Sequence, residues 1–325
     1  MAANQILFVL ISLAIPLISK ASPNDCPNSA KKLFVFGDSY LDTGNSLISS
    51  PAWRFPYGIS LGKPNGRFSD GLLWTDQLAT FMGLDTPVPF SRVSASNADS
   101  IRNGVNFAVG GTSLFPNTLV NVTMEVQLNQ FRELGEGGAF TNCDLKNSVA
   151  FVSISINDYM AYNNFTFPNA PLTAAIVAQL KANFERLHVF GMRKIAVASL
   201  PPIGCLPDLS TDSEYPGSCN QTVNEGARSH NEALKAVISD LNKVNGEESI
   251  VYVDFYGGFS AAMDEVAKTG GSNPTKRCCV ECDKPTYKVC ENPAQAFFWD
   301  GNNPAQNGWK LVFDKLRCDI ERLLA

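Results

Sequence analysis

The sequence predicts a three-layer α/β/α sandwich around a mostly parallel sheet, on three observations. Short, continuously apolar runs recur along the chain, as strands buried on both faces require. Longer segments with apolar residues at three- and four-residue spacing fall between them. Pro- and Gly-rich connections join the two kinds of segment, at Pro51–Arg67, Pro87–Asn97, Ser199–Gly217 and Gly270–Pro293.

Taken in order, the predicted strands are Leu33–Phe36, a short one near Val105–Ala108, Val149–Ile156, Ile195–Ser199 and Ile250–Asp254. Helices are expected over Leu72–Phe81, Leu172–Phe190, Val223–Leu241 and about Gln306–Leu324. The second repeats Ile176, Leu180, Phe184 and Leu187, with Gly191 placed to cap it. The third carries Ala227, Leu234, Ile238 and Leu241, and the last Trp309, Val312, Phe313 and Leu316. No internal repeat, low-complexity tract or linker divides the chain, so a single domain over 32–325 is expected.

The first 21 residues read as a secretory signal peptide. Ile6–Ile18 is almost wholly apolar, and Ser19-Lys20-Ala21 offers small residues to a signal peptidase. About 13 apolar residues are too few to span a bilayer that needs roughly 20, so no transmembrane segment is expected once the leader is removed. Entry into the secretory pathway, most simply to the extracellular space, agrees with nine cysteines, all beyond the leader. Vacuole and ER remain open, although the terminal Leu-Leu-Ala is not a KDEL-type signal. Asn121, Asn164 and Asn220 each begin an Asn-X-Thr glycosylation acceptor.

An odd cysteine count leaves at least one thiol without an intrachain partner. Cys205 with Cys219 would close a compact loop. The cluster Cys278-Cys279-Val-Glu-Cys282 has two readings, disulfides or a metal site; an oxidising compartment and the lack of a nearby histidine favour disulfides. No metal and no cofactor are expected. A net charge of −5 and a pI near 5.2 argue against nucleic acid or an anionic membrane as partner.

Chemistry concentrates at the carboxyl ends of the strands, where open α/β sheets bind ligands. Gly37-Asp38-Ser39 follows the first apolar run and presents a hydroxyl there. Asp42-Thr43-Gly44-Asn45 continues it, and Pro64-Asn65-Gly66-Arg67-Phe68-Ser69-Asp70-Gly71 follows. With Asn106-Phe107-Ala108-Val109-Gly110-Gly111-Thr112, Ser155-Ile156-Asn157-Asp158-Tyr159 and Phe297-Phe298-Trp299-Asp300-Gly301-Asn302-Asn303-Pro304, the chain resembles the plant GDSL esterase/lipase family of the SGNH hydrolase superfamily. The resemblance runs from about Lys32 to the C-terminus with the motifs in family order.

That resemblance implies a flavodoxin-like SGNH hydrolase fold and hydrolysis of carboxylic esters. Ser39 takes the place of the nucleophile, and its backbone N–H also serves an oxyanion hole completed by Gly110 and Asn157, with Gly111 the alternative glycine. Asp300 takes the place of the acid that orients the base. Two departures follow. The family usually has glycine one or two residues before the asparagine, where this chain has Ser155 and Ile156. Its catalytic histidine position holds Asn303, and a carboxamide has no nitrogen basic at neutral pH.

Only His188 and His230 are available as substitute bases. His188, at a helix C-terminus, reads as a favourably placed charge, and His230 as a buried, hydrogen-bonded core residue. Asp42, Arg67 and Asp70 read as a polar network stapling loops. Trp53, Phe55, Tyr57 and Phe68 either line an acyl pocket or pack the long early loop. The expected partner is a small ester or acyl ligand, or a protein if the site is non-catalytic. Three functions stay open: an impaired secreted esterase, a non-catalytic binding relative, and a repurposed acyltransferase-type enzyme.

Overall fold

The computed structural model describes residues 31–324 except 95–97, 119, 165, 168 and 270–272. The expected signal peptide and Cys26 lie outside the described residues. Six parallel strands form the sheet: β1 (Leu33–Gly37), β2 (Val88–Pro89), β3 (Gly104–Asn106), β4 (Val149–Ser153), β5 (Lys194–Ala198) and β6 (Ile250–Val253). Their order is β2-β3-β1-β4-β5-β6. The chain starts inside the sheet, winds to one side through β2 and β3, then crosses to β4 on the other. That reversal opens a crevice beyond the end of β1.

Every residue of β1 and β4 is buried, which is why both read as unbroken apolar runs rather than alternating ones. Phe34 and Phe36 face one layer, packing against Phe131 of α2 (Met124–Glu136). On the opposite face Phe151 meets Trp74 of α1 (Trp74–Phe81) and Phe255 of α7 (Phe255–Lys268), and Trp74 reaches Phe313 of α8 (Gln306–Leu324). The remaining helices are α3 (Asn142–Asn147), α4 (Ile156–Asn163), α5 (Ala170–Val189) and α6 (Gln221–Asn245). α5 packs on α2 and α6, while α8 packs on α1 and α7. Three layers result, with aromatic rings filling both interfaces.

The differences from the sequence reading are local. The strand expected over Val149–Ile156 ends at Ser153, because Ser155 adopts φ +111° and Ile156 already begins α4. β2 lies inside the expected connection Pro87–Asn97; its Pro89 cannot donate to a ladder, which suits an edge strand. α7 contains Gly257 and Gly258, poor helix formers. At Gly258 a Cβ would sit 2.7 Å from Leu316, so the missing side chain is what lets α7 lie against α8.

Cys205 is bonded to Cys219, as the loop reading expects. Cys278–Cys290 and Cys279–Cys282 pin a small hairpin, Cys279–Val280 against Lys288–Val289. These bonds consume the cysteines of the alternative metal reading. Cys143 is also disulfide-bonded, and Cys318 is a free, exposed thiol. Among the described residues no helix is long and apolar enough to cross a membrane.

The polar network expected of the early loop is present. Arg67 forms a two-pronged pair with Asp76 at 2.6 and 2.9 Å. Asp70 accepts from Ser60 at 2.6 Å and from the Gln306 N–H at 2.7 Å, tying the loop to the start of α8.

Candidate active site

Gly37 ends β1 beside Ser153, and its backbone has φ +156°. A Cβ there would lie 2.1 Å from the Ser153 carbonyl oxygen, so only glycine allows the chain to turn at this point. Gln127 of α2 holds the turn from below: it donates to the Gly37 carbonyl at 2.8 Å and accepts from the Gly37 N–H at 2.9 Å. Asp38 then accepts from the Tyr40 N–H at 3.1 Å. The turn leaves Ser39 half-buried, with neither its hydroxyl nor its N–H bonded to any described residue.

Ser39 opens on a cavity of about 980 Å³. Gly110, Gly111, Asn157 and Asn303 line the same cavity, so the structure gathers these residues from four separate segments. Asp300 stands behind Asn303. Phe68, Phe90, Phe107, Val109, Ile156 and Met160 supply apolar wall.

The two glycines are not equivalent. The Gly110 N–H donates to the Asp42 carboxylate at 2.9 Å, whereas the Gly111 N–H has no acceptor among the described residues. Of the two backbone donors, the one left free is therefore that of Gly111. Asp42 is fully buried and also accepts from the N–H groups of Gly44 and Asn45 at 2.8 and 2.7 Å. Asn157, in the first turn of α4, donates to the Thr112 carbonyl at 2.8 Å and to Asp38 at 3.3 Å. The longer of these bonds is the one a ligand oxygen can displace.

Asn303 turns its Nδ2 to both oxygens of Asp300 at 3.1 Å. Asp300 also accepts from the Asn302 and Asn303 N–H groups at 2.9 and 2.7 Å and from the Tyr57 hydroxyl at 2.9 Å. Asn303 thus copies half of an imidazole: an N–H donor toward the carboxylate and an acceptor, Oδ1, on its other branch. Among the described residues that Oδ1 is buried without a partner. What the carboxamide lacks is basicity.

The two histidines lie elsewhere. His230 is buried against the Tyr159 hydroxyl at 3.0 Å, and burial pushes it down to about 3. His188 is lowered by burial and by neighbouring Arg193, so the helix-end charge expected of it is disfavoured. Neither ring lines the cavity.

The acids around the turn are all pushed upward, chiefly by burial: Asp38 to about 7, Asp158 to about 6, and Asp42 and Asp300 in the same direction. Asp38 also feels the Asp158 and Asp42 carboxylates. Its ordinary value is 3.8, so folding favours its neutral form. The stability this contributes is complete below pH about 4 and is lost as pH rises through about 7. Between pH 5 and 8 the urea midpoint is expected to fall, and to fall less in Asp38→Asn. Equal slopes would remove Asp38 as the source.

Ser155 carries a second prediction. Its φ of +111° is a glycine conformation, its side chain is wholly buried, and its hydroxyl finds no partner among the described residues. Such strain costs about 1–3 kcal/mol. Ser155→Gly is expected to stabilise the protein by about 1 kcal/mol after glycine's entropic cost is deducted. An unchanged or lowered denaturant midpoint would contradict it.

Of the early aromatics, Phe68 lines the cavity, whereas Trp53 packs the loop, its Nε1 donating to Ser46 at 2.8 Å with Arg92 over its ring. Tyr57 belongs to the Asp300 environment. Asn121, Asn164 and Asn220 are all exposed, and Asn121 stands on the cavity wall. Gln127 and Thr112 were not foreseen: each acts on a residue 90 or 45 positions away, and no local pattern encodes that.

The chain is similar to known proteins over most of its length. The model of the GDSL-like Lipase/Acylhydrolase family matches residues 33–316. Two Arabidopsis thaliana proteins described as GDSL esterase/lipase are 37% and 36% identical to this chain. Each covers 90% of it, over 87% and 89% of their own lengths respectively. An acetylxylan esterase from Geobacillus stearothermophilus aligns at a TM-score of 0.40 and 16% identity, covering 90% of this chain and 94% of that one.

Proposed function

The chain belongs to the GDSL-like lipase/acylhydrolase family, and from that premise we propose that it is an ester-binding relative whose hydrolysis is strongly impaired. The observation that carries the reading is Asn303, bound to Asp300 where a base is needed. Ser39 would attack an ester carbonyl, and the N–H groups of Ser39 and Gly111 with the Asn157 amide would receive the developing oxyanion. The Ser39 proton then has no acceptor of adequate basicity. By the scale of serine proteases, losing the base costs on the order of 10⁶ in turnover and leaves roughly 10³–10⁴ over water.

The apolar cavity wall supports an acyl or ester ligand. The apolar leader and the disulfides support passage through the secretory pathway, with Asn121, Asn164 and Asn220 as glycan acceptors and 32–325 as the mature domain. The test is p-nitrophenyl butyrate hydrolysis by wild type and Ser39→Ala from a secretory host. Indistinguishable rates support the reading; a wild-type rate well above Ser39→Ala overturns it.

A further inference from the structure

Extending the acyl-ligand reading to the ligand's source, we infer that the loop from Asn45 to Gly62 seats the cavity mouth on a zwitterionic phospholipid surface. Leu47 and Ile48 form its tip, 79% and 77% exposed, and Phe55, Ile59 and Leu61 of the same loop are also exposed. The stretch 45–63 contains no Asp or Glu and carries Arg54 and Lys63, on a chain of net charge −5. A segment without carboxylates has no acidic group to desolvate on insertion among neutral headgroups, and Arg54 and Lys63 can keep their charged ends in water while their stems lie along the lipid.

Close contacts at its base hold the loop in place. Gly44 and Gly66 meet at its base, where a Cβ on Gly66 would lie 2.6 Å from the Gly44 Cα. The Gly66 N–H donates to the Ala52 carbonyl at 3.1 Å, and Trp53 holds Ser46. The tip is continuous with the site: Leu47, Ser49, Ser50 and Pro51 line the cavity that opens on Ser39. An acyl chain can pass from a lipid surface along Leu47 to the apolar wall without crossing water, which removes the main cost of moving it.

The experiment is sedimentation of the full chain with sucrose-loaded vesicles of palmitoyl-oleoyl phosphatidylcholine. It compares wild type, Ile48→Ser and, as an exposed valine outside the loop, Val189→Ser. Wild type and Val189→Ser are expected to sediment with lipid alike, and Ile48→Ser to partition about tenfold more weakly. Wild type remaining in the supernatant overturns the inference, as does Ile48→Ser binding like wild type. A dimer that Ile48→Ser disperses, without vesicle binding, assigns the patch to a second copy and also overturns it. Because vesicle binding involves no turnover, this result is independent of whether Ser39 is active.

Discussion

Replacing Asn303 with histidine is expected to raise p-nitrophenyl butyrate turnover by about 10²–10⁴-fold, a general base's ordinary contribution, with the whole gain lost in Ser39→Ala/Asn303→His. The surroundings are already built for an imidazole. Asp300 is fixed by two backbone N–H groups and Tyr57, and it already takes an N–H from residue 303. A histidine there would donate one ring N–H to Asp300 and turn the other nitrogen to the cavity. Burial holds Asp300 above its ordinary carboxylate range, and an adjacent imidazolium would draw it back down. Ionised Asp300 would in turn stabilise the imidazolium formed as Ser39 loses its proton.

The wild type separates the possible outcomes. If it matches Ser39→Ala while Asn303→His gains activity, the scaffold is a sound hydrolase without its base. If Asn303→His gains nothing, the obstruction lies elsewhere. Ile156, in the cavity wall beside Asn157, is then the residue to change, to glycine. If wild type already exceeds Ser39→Ala, another group activates Ser39. Burial and the bond to Tyr159 make His230 unsuitable, which leaves Asp300.

The site was legible because its pieces are short contiguous motifs at strand ends, each recognisable without its partners. Ser39, Asn157 and Asn303 line one cavity, although 264 positions separate Ser39 from Asn303. Which glycine N–H is left free was not legible: the carboxylate of Asp42, 68 positions away, takes that of Gly110. Five of the six strands were readable because near-complete burial makes them almost uniformly apolar, whereas β2 has only two residues and forms no run. α2 carries a helical stripe in Met124, Leu128 and Phe131, but one too short to mark a helix by periodicity alone. α4 is hidden differently. Its apolar first residue continues the β4 run, and only the backbone of Ser155 marks the break.

Asp76→Ala is expected to cost about 3–5 kcal/mol, the range for breaking a buried ion pair from one side. Asp76 is 2% exposed, and its two oxygens accept from Arg67, from the Thr86 hydroxyl at 2.7 Å and from the Leu73 N–H at 2.8 Å. Removing the carboxylate strands the Arg67 guanidinium, itself only 12% exposed, and frees the N–H that begins α1. Asp76→Asn should cost less, since it keeps an acceptor for one donor while losing the charge. Arg67→Met, which removes the buried cation and retains its apolar stem, should recover part of the loss in an Asp76→Ala background. A double variant as stable as either single one, or more so, would show that the isolated charge is the penalty. Additive losses would instead assign the cost to packing of the 64–71 loop on α1. Chemical unfolding of the four proteins decides between them, and the loop's bond from Asp70 to α8 provides a common reference because none of the substitutions touches it.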